Sequence, residues 1–166
     1  MLKRDKTPTF SDSLEKIKKE YHKKGWWNRE KLQVRYEKKI FGRESELAVA
    51  DNRGIQLSHS ELINSSHILE KTLLKQGVRK GDVVIILLPN WVEWQIALLG
   101  ILYMGGIPAN LPVRVDEKNL HYACEITGAR AIITTEKYGS ISTKNIAMRA
   151  AESCSHRNEI LIFNTN

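Results

Sequence analysis

The chain has 166 residues, of which 42% are hydrophobic and 27% are charged, and its formal net charge is +7. This length and this balance are typical of a globular domain with a hydrophobic core, and they exclude a low-complexity or disordered chain. The first nine residues are charged and lack an apolar core segment. No signal peptide is therefore predicted, and we expect a cytoplasmic protein.

The positive charge is concentrated in residues 1–43, which hold 14 Lys and Arg against 6 Asp and Glu. Residues 44–166 hold 12 against 13. We interpret residues 1–43 as a basic helical leader packed on the body. Such a leader can contact nucleic acid or an anionic surface. Acidic residues interrupt the basic ones, so a solvated helical face is favoured, and nucleic-acid binding is kept as an alternative.

Two helices are predicted in the leader. The first begins near Asp12 and ends at Gly25. The adjacent Trp26 and Trp27 point in different directions, so at least one is expected to anchor the leader on the main body. Asn28 is the predicted N-cap of a second helix, whose apolar residues recur at a spacing of four: Leu32, Tyr36 and Ile40.

A hairpin and a helix open the main body. Residues 47–50 and 55–57 flank a polar turn that ends in glycine, which predicts two antiparallel strands. Ser58 is the predicted N-cap of the next helix, and Glu61 stands where a capping box requires it. The inner stripe of this helix has four members: Leu62, Ser66, Leu69 and Leu73.

The stretch from Gly81 to Pro112 predicts a strand, a helix and a second strand. Residues 83–88 form a continuous β-branched and leucine run, typical of a strand buried on both faces. Asn90 is the predicted N-cap of a helix that ends near Met104, and residues 107–111 form the next strand. A membrane span is rejected because polar residues and a proline would lie in its middle: Pro89, Asn90, Glu93 and Gln95.

Strands and helices continue to alternate beyond Pro112. A helix is predicted from Asp116 to Thr127, a strand over 131–135, a weaker helix over 142–153 and a last strand over 159–163. The face of the first of these helices that packs toward the core is expected to carry four residues: Leu120, Ala123, Cys124 and Thr127. The pattern predicts an α/β fold with a mainly parallel sheet and helices on both faces. A phosphorelay receiver shares this rhythm, but its clustered aspartates are absent from the strand ends.

Residues 47–163 resemble the opening part of the adenylate-forming (AMP-binding) superfamily, which includes acyl-CoA synthetases and aryl-acid AMP ligases. Four stretches match its motifs in order: AVAD with Gly54, LSHSEL at 57–62, GVRKGDVVI with LPN at 77–90, and LGI with GGIP and LP at 99–112. The GARAII run at 128–133 fits the strand that follows. In the leader, Tyr21, the KGWW run at 24–27 and Leu32 are similar to the start of aryl-acid AMP ligases.

The resemblance implies a parent enzyme that makes an acyl-adenylate from ATP and a carboxylic acid and then transfers the acyl group to coenzyme A. ATP, Mg²⁺ and coenzyme A are expected for that parent. The family's Ser/Thr/Gly-rich loop ending in lysine is missing; the nearest candidate, Gly139–Lys144, has one glycine and precedes a helix. The adenine-binding motif, acidic metal ligand, hinge and catalytic lysine are expected beyond residue 166.

Residues 44–166 are therefore predicted to be an incomplete ligase domain that is inactive alone and binds no cofactor. No catalytic, cofactor-binding or metal residue is assigned. Six residues at family positions have structural roles in turns, caps and packing: Gly81, Pro89, Asn90, Gly105, Gly106 and Pro112. One alternative is a non-catalytic interaction module, or the partner half of a split ligase. The expected partner is the missing remainder or a complementary chain.

The histidines, the cysteines and Glu93 are interpreted as structural rather than catalytic residues. The five histidines lack ligand spacing and are expected to be surface or core residues: His22, His59, His67, His121 and His156. Cys124 and Cys154 are thirty positions apart without companion ligands, so buried thiols are favoured over a zinc site. Glu93 is interpreted as an exposed helical acid.

Overall fold

A computed structural model describes residues 10–27, 30–155 and 159–163 of the chain. The predicted alternation of helices and strands is confirmed, in this order: α1 (Phe10–Lys23), α2 (Leu32–Ile40), β1 (Leu47–Ala50), β2 (Gln56–Ser58), α3 (His59–Lys75), β3 (Val83–Leu87), α4 (Val92–Met104), β4 (Ile107–Asn110), α5 (Glu117–Thr127), β5 (Ala131–Thr135), α6 (Thr143–Glu152) and β6 (Glu159–Phe163). No helix among the described residues is long and apolar enough to cross a lipid bilayer.

The centre of the fold is a four-stranded sheet in the order β4-β3-β5-β6, in which every pair is parallel. The side chains of β3 alternate between two cores. Val84 and Ile86 pack with residues of α3 and α4, whereas Ile85 and Leu87 pack with residues of α5 and α6. All four are completely buried, as expected for a strand covered on both faces. The predicted α/β fold class is confirmed.

A close contact between α3 and α4 depends on Gly100. A Cβ atom at this position would lie 2.9 Å from the backbone oxygen of Ser66 and 3.1 Å from the Leu69 side chain. Real Cβ atoms essentially never approach another atom within 3.0 Å, and the contact with Leu69 would be tighter than nine in ten real Cβ contacts. The glycine therefore allows the two helices to pack at their observed separation.

The hairpin and α3 begin as the sequence predicts. β1 and β2 are antiparallel, and Ser58 caps α3 through a complete capping box with Glu61. The predicted inner stripe of α3 is confirmed, since all four of its members are buried. α2 packs against the body: Ile40 is buried, and the side-chain amide of Gln33 donates a 2.9 Å hydrogen bond to the carbonyl of Leu102 in α4.

Two predictions for the leader are wrong: the contacts of the two tryptophans and the N-cap of α2. Trp26 and Trp27 place their rings 5.2 and 5.1 Å from the ring of Tyr21, so their ring contacts lie within the leader rather than on the sheet domain. Both indoles are exposed. The N-cap of α2 is Lys31, which makes no side-chain capping bond. Asn28, the predicted cap, lies outside the described residues, as do His156 and the last three residues.

In α5, Asp116 is the N-cap as predicted, and Leu120 and Cys124 are buried. The prediction for Thr127 is wrong because this residue is exposed. Its hydroxyl donates a 2.6 Å hydrogen bond to the carbonyl of Ala123 one turn earlier. Threonine commonly makes this bond near a helix end, and it satisfies the hydroxyl without burial in the core.

Candidate functional site

A cleft of about 990 Å³ lies at the carboxyl ends of β3 and β4. Open parallel sheets bind ligands at this edge, because the loops that leave the strands diverge there. The turn of the β1–β2 hairpin forms one wall, and the segments that follow β3 and β4 form the others. The lining residues include Asp51, Pro89, Trp91, Pro112, Arg114 and Tyr138. The cleft is therefore large enough to hold a small ligand, and it lies at the position expected for an α/β ligand site.

The hairpin is joined to the cleft by a partly buried ion-pair network. The guanidinium of Arg53 lies 2.6 Å from a carboxylate oxygen of Asp51 and 2.6 Å from one of Glu93. It also stacks over the indole of Trp91, with 4.0 Å between the guanidinium carbon and the ring centroid. The interpretation of Glu93 as an exposed acid is wrong: only 9% of the residue is accessible. Arg53, forty positions earlier in the chain, compensates the buried charge.

The carboxylate of Asp51 also takes part in capping the start of α4. This carboxylate accepts hydrogen bonds from the backbone N–H groups of Arg53, at 2.9 Å, and of Val92, at 3.2 Å. The bonds from Arg53, above all, lower the pKa of Asp51 from 3.8 to about 2. The prediction that Asn90 caps this helix is wrong: the N-cap is Trp91, which makes no side-chain capping bond. A carboxylate from a distant turn replaces the local cap and complements the helix dipole.

The opposite wall of the cleft is aromatic and cationic. The rings of Trp91 and Tyr138 meet edge to face with 5.9 Å between their centroids. The guanidinium carbon of Arg114 lies 5.7 Å from the Tyr138 ring, and the residue is exposed. Among the described residues, Arg114 has no carboxylate within ion-pairing distance. An aromatic wall beside an exposed guanidinium can bind a flat or anionic ligand.

The Gly139–Lys144 loop, considered in the sequence as a phosphate site, makes hydrogen bonds with nearby residues. Tyr138 and Ile141 exchange two backbone hydrogen bonds, which close a tight turn. The hydroxyl of Ser142 caps α6 by accepting from the N–H of Asn145, and the buried hydroxyl of Thr143 donates to the carbonyl of Thr135. The ammonium of Lys144 lies 3.4 Å from Glu136. This turn positions α6 and Tyr138.

The histidines of the described segments do not line the cleft. His22 lies against the Trp27 carbonyl, His59 bonds to the hydroxyl of Tyr36, and His67 pairs with Glu70. His121 lies on α5, beside Cys154. Both cysteines are free thiols, and Cys124 is buried as predicted, whereas Cys154 is half-buried.

Sequence reasoning assigned no functional role to three residues that line the cleft, Trp91, Arg114 and Tyr138, or to Arg53, which pairs with Asp51 of the cleft wall. An Asp-x-Arg turn was visible, but no spacing connects it to Glu93. Pro89, Asn90 and Pro112, assigned only structural roles, line the cleft as well. The described cleft presents no free carboxylate, because Asp51 is bonded to Arg53 and Val92. Its geometry supports binding and offers no set of groups for acid–base or metal chemistry.

Comparisons with known proteins agree with the resemblance found in the sequence. The family model for AMP-binding enzymes matches residues 37–164. A 4-coumarate–CoA ligase-like protein of Arabidopsis thaliana is 36% identical over 83 residues, which are 49% of this chain and 15% of the relative. The medium-chain fatty-acid–CoA ligase of Escherichia coli is 26% identical over 91 residues, covering 55% of this chain and 16% of the relative.

Solved structures show the same fold. A benzoate CoA ligase from Burkholderia xenovorans aligns with a TM-score of 0.66 at 19% identity, over 78% of this chain and 24% of that protein. An anthranilate CoA ligase solved with anthranoyl-AMP aligns with a TM-score of 0.69 at 17% identity, over 76% and 23%. This chain spans about a sixth of the length of the curated relatives. On the match over residues 37–164, the chain belongs to the AMP-binding enzyme family.

Proposed function

We propose that this chain is the amino-terminal α/β portion of an ATP-dependent ligase for acyl or aryl acids. In the reaction proposed for the whole enzyme, a carboxylate oxygen attacks the α-phosphorus of ATP, and pyrophosphate leaves. The sulfur of coenzyme A then attacks the acyl carbon, and AMP leaves. The family match over residues 37–164 carries this proposal, because it includes the sheet and both helix layers.

The proposal includes inactivity of the isolated chain. Transfer from ATP requires backbone N–H groups and a lysine around the phosphates, with Mg²⁺ to neutralise charge. The described residues do not fit ATP and Mg²⁺: the Gly139–Lys144 turn is bonded internally, and the cleft carboxylate of Asp51 is held by Arg53. No step is therefore assigned to residues of this chain, and the cleft is proposed to form one wall of the complete site.

An apolar groove supports the idea that further polypeptide docks here. It has a volume of about 530 Å³ and lies between α3 and β6, at the edge of the described sheet. Ile68 on its rim is 66% exposed, and Ile160, Leu161 and Ile162 of β6 line its floor. Exposed apolar surface beside an edge strand is characteristic of a protein interface. We propose that the remainder of the ligase, or a complementary chain, covers this groove.

Carboxylate-dependent exchange between ATP and labelled pyrophosphate tests the inactivity of the chain. The purified chain is assayed with Mg²⁺ and with medium-chain and aromatic acids, and the E. coli relative serves as the positive control. We expect a signal equal to that of a blank preparation. Exchange above the blank that depends on the added acid would overturn this part of the proposal.

A further inference from the structure

Three potential metal ligands converge where α5 meets the end of α6. His121 and Glu125 are four residues apart on α5 and therefore share one face of the helix. Cys154 follows α6 and points its sulfur toward them. One ligand atom from each of the three residues lies within 4.8 Å of the other two. The Cys154 Sγ atom and the His121 Nδ1 atom are 3.7 Å apart.

We propose that His121, Glu125 and Cys154 form a zinc-binding site. Zinc binds cysteine sulfur at about 2.3 Å and histidine nitrogen at about 2.0–2.1 Å in a tetrahedral arrangement. These lengths place sulfur and nitrogen about 3.6 Å apart, close to the distance between Cys154 and His121. A thiolate, an imidazole and a carboxylate together suit zinc better than calcium or magnesium, which prefer oxygen ligands. Water completes the fourth position.

The surroundings of the three residues orient the carboxylate and leave the potential metal site accessible to ions. The Glu125 carboxylate accepts hydrogen bonds from the backbone N–H and the hydroxyl of Ser155, the latter at 2.9 Å. These bonds orient the carboxylate, and a carboxylate has about four lone-pair sites, so they are compatible with metal binding. All three ligand residues are half-buried. A depression of about 250 Å³ borders His121 and gives an ion access from solvent.

Binding requires loss of the Cys154 proton. The thiol donates a 3.2 Å hydrogen bond to the carbonyl of Ala150, which the metal–sulfur bond would replace. The spacing of the two cysteines argued against zinc because Cys124 and Cys154 are thirty positions apart and form no zinc-ligand motif in the sequence. The fold removes that objection, since α5 brings His121 and Glu125 to Cys154. The site lies on α5 and in the segment that follows α6, and it does not depend on the proposed ligase function.

Cobalt and zinc titrations of the purified full chain, kept reduced and freed of metal, test the proposal. One equivalent of Co²⁺ is expected to produce sulfur-to-cobalt charge-transfer absorption and the intense visible bands of a tetrahedral site. Zn²⁺ is expected to displace the cobalt. Cys154→Ser should abolish the charge-transfer band, and His121→Ala and Glu125→Gln should each weaken zinc binding by at least about tenfold.

Two matched variants control for adventitious binding. His67→Ala removes the histidine of another helical His–Glu pair, which has no thiol beside it, and should leave the affinity unchanged. Cys124→Ala removes the neighbouring buried thiol and should preserve the cobalt spectrum. Circular dichroism verifies that each variant is folded. The proposal is overturned if folded wild-type protein gives no charge-transfer band, if the band survives Cys154→Ser, or if His67→Ala weakens zinc binding as much as His121→Ala does.

Discussion

Replacing Gly100 with alanine tests how closely α3 and α4 pack. The added Cβ would lie 2.9 Å from the Ser66 backbone oxygen, which cannot rotate away. Overpacking of this kind costs about 1–3 kcal/mol, and the upper half of that range applies because the obstacle is backbone. Alanine regains about 1 kcal/mol of helix propensity relative to glycine. The free energy of unfolding is therefore expected to fall by about 1–2 kcal/mol, and Tm by about 2–8 °C.

Urea denaturation followed by circular dichroism measures this change, with an unchanged m-value as the sign that the unfolding transition is comparable. Asn64→Ala, on the exposed side of α3, is the matched control. It gains helix propensity without a clash, so its stability should stay equal or rise by about 0.5 kcal/mol. An increase in stability for Gly100→Ala similar to that of the control would refute the close approach of the two helices.

Three further outcomes follow from the cleft and the groove. The pKa of Asp51 is lowered to about 2 in the folded protein, so the stability that its carboxylate contributes is complete above about pH 4 and is lost as the pH falls toward 2. Asp51→Asn should therefore reduce the dependence of the free energy of unfolding on pH between about 4 and 2. An unchanged dependence would contradict the ion-pair network. Arg53→Met should lower the free energy of unfolding and shift the tryptophan emission to longer wavelength. Arg114→Met, which breaks no ion pair among the described residues, should change neither quantity measurably; equal effects of the two variants would show that the Arg53 ion pairs do not stabilise the fold. If the groove is an interface, Ile68→Asp should reduce the concentration-dependent association seen in sedimentation velocity, whereas Ile126→Asp, at a similarly exposed position on α5, should not. Loss of association in both variants would indicate nonspecific hydrophobic association instead.

The order and type of the elements could be predicted because local chemistry fixes them. Gly77, Gly105 and Gly128 adopt positive φ at helix ends, and the continuous apolar run of β3, ended by Pro89, indicates a strand buried on both faces. The capping box at Ser58 is equally local. The strand order was not predicted beyond a mainly parallel sheet, since the order depends on how the crossovers pack.

The errors at Glu93 and Asn90 share one physical cause: long-range contacts replaced the local interactions that sequence spacing suggests, whereas at Thr127 and the two tryptophans local contacts replaced the expected packing on the body. Glu93 is buried because Arg53 reaches it from the hairpin, and α4 starts without Asn90 as its cap because Asp51 accepts the Val92 N–H. Neither contact has a signature in the intervening forty residues. The approach of His121 to Cys154 belongs to the same class, because two helices from different parts of the chain create it.

A hybrid enzyme tests most directly whether this chain is the amino-terminal portion of an acid ligase. Residues 37–164 replace the matching segment of the E. coli medium-chain fatty-acid–CoA ligase, and ATP–pyrophosphate exchange is measured with a medium-chain acid. We expect acid-dependent exchange by the hybrid, none by the isolated chain, and none by a hybrid that carries Gly100→Leu. A hybrid that folds and remains soluble but shows no exchange would contradict the proposed function, and exchange by the isolated chain would contradict its proposed inactivity.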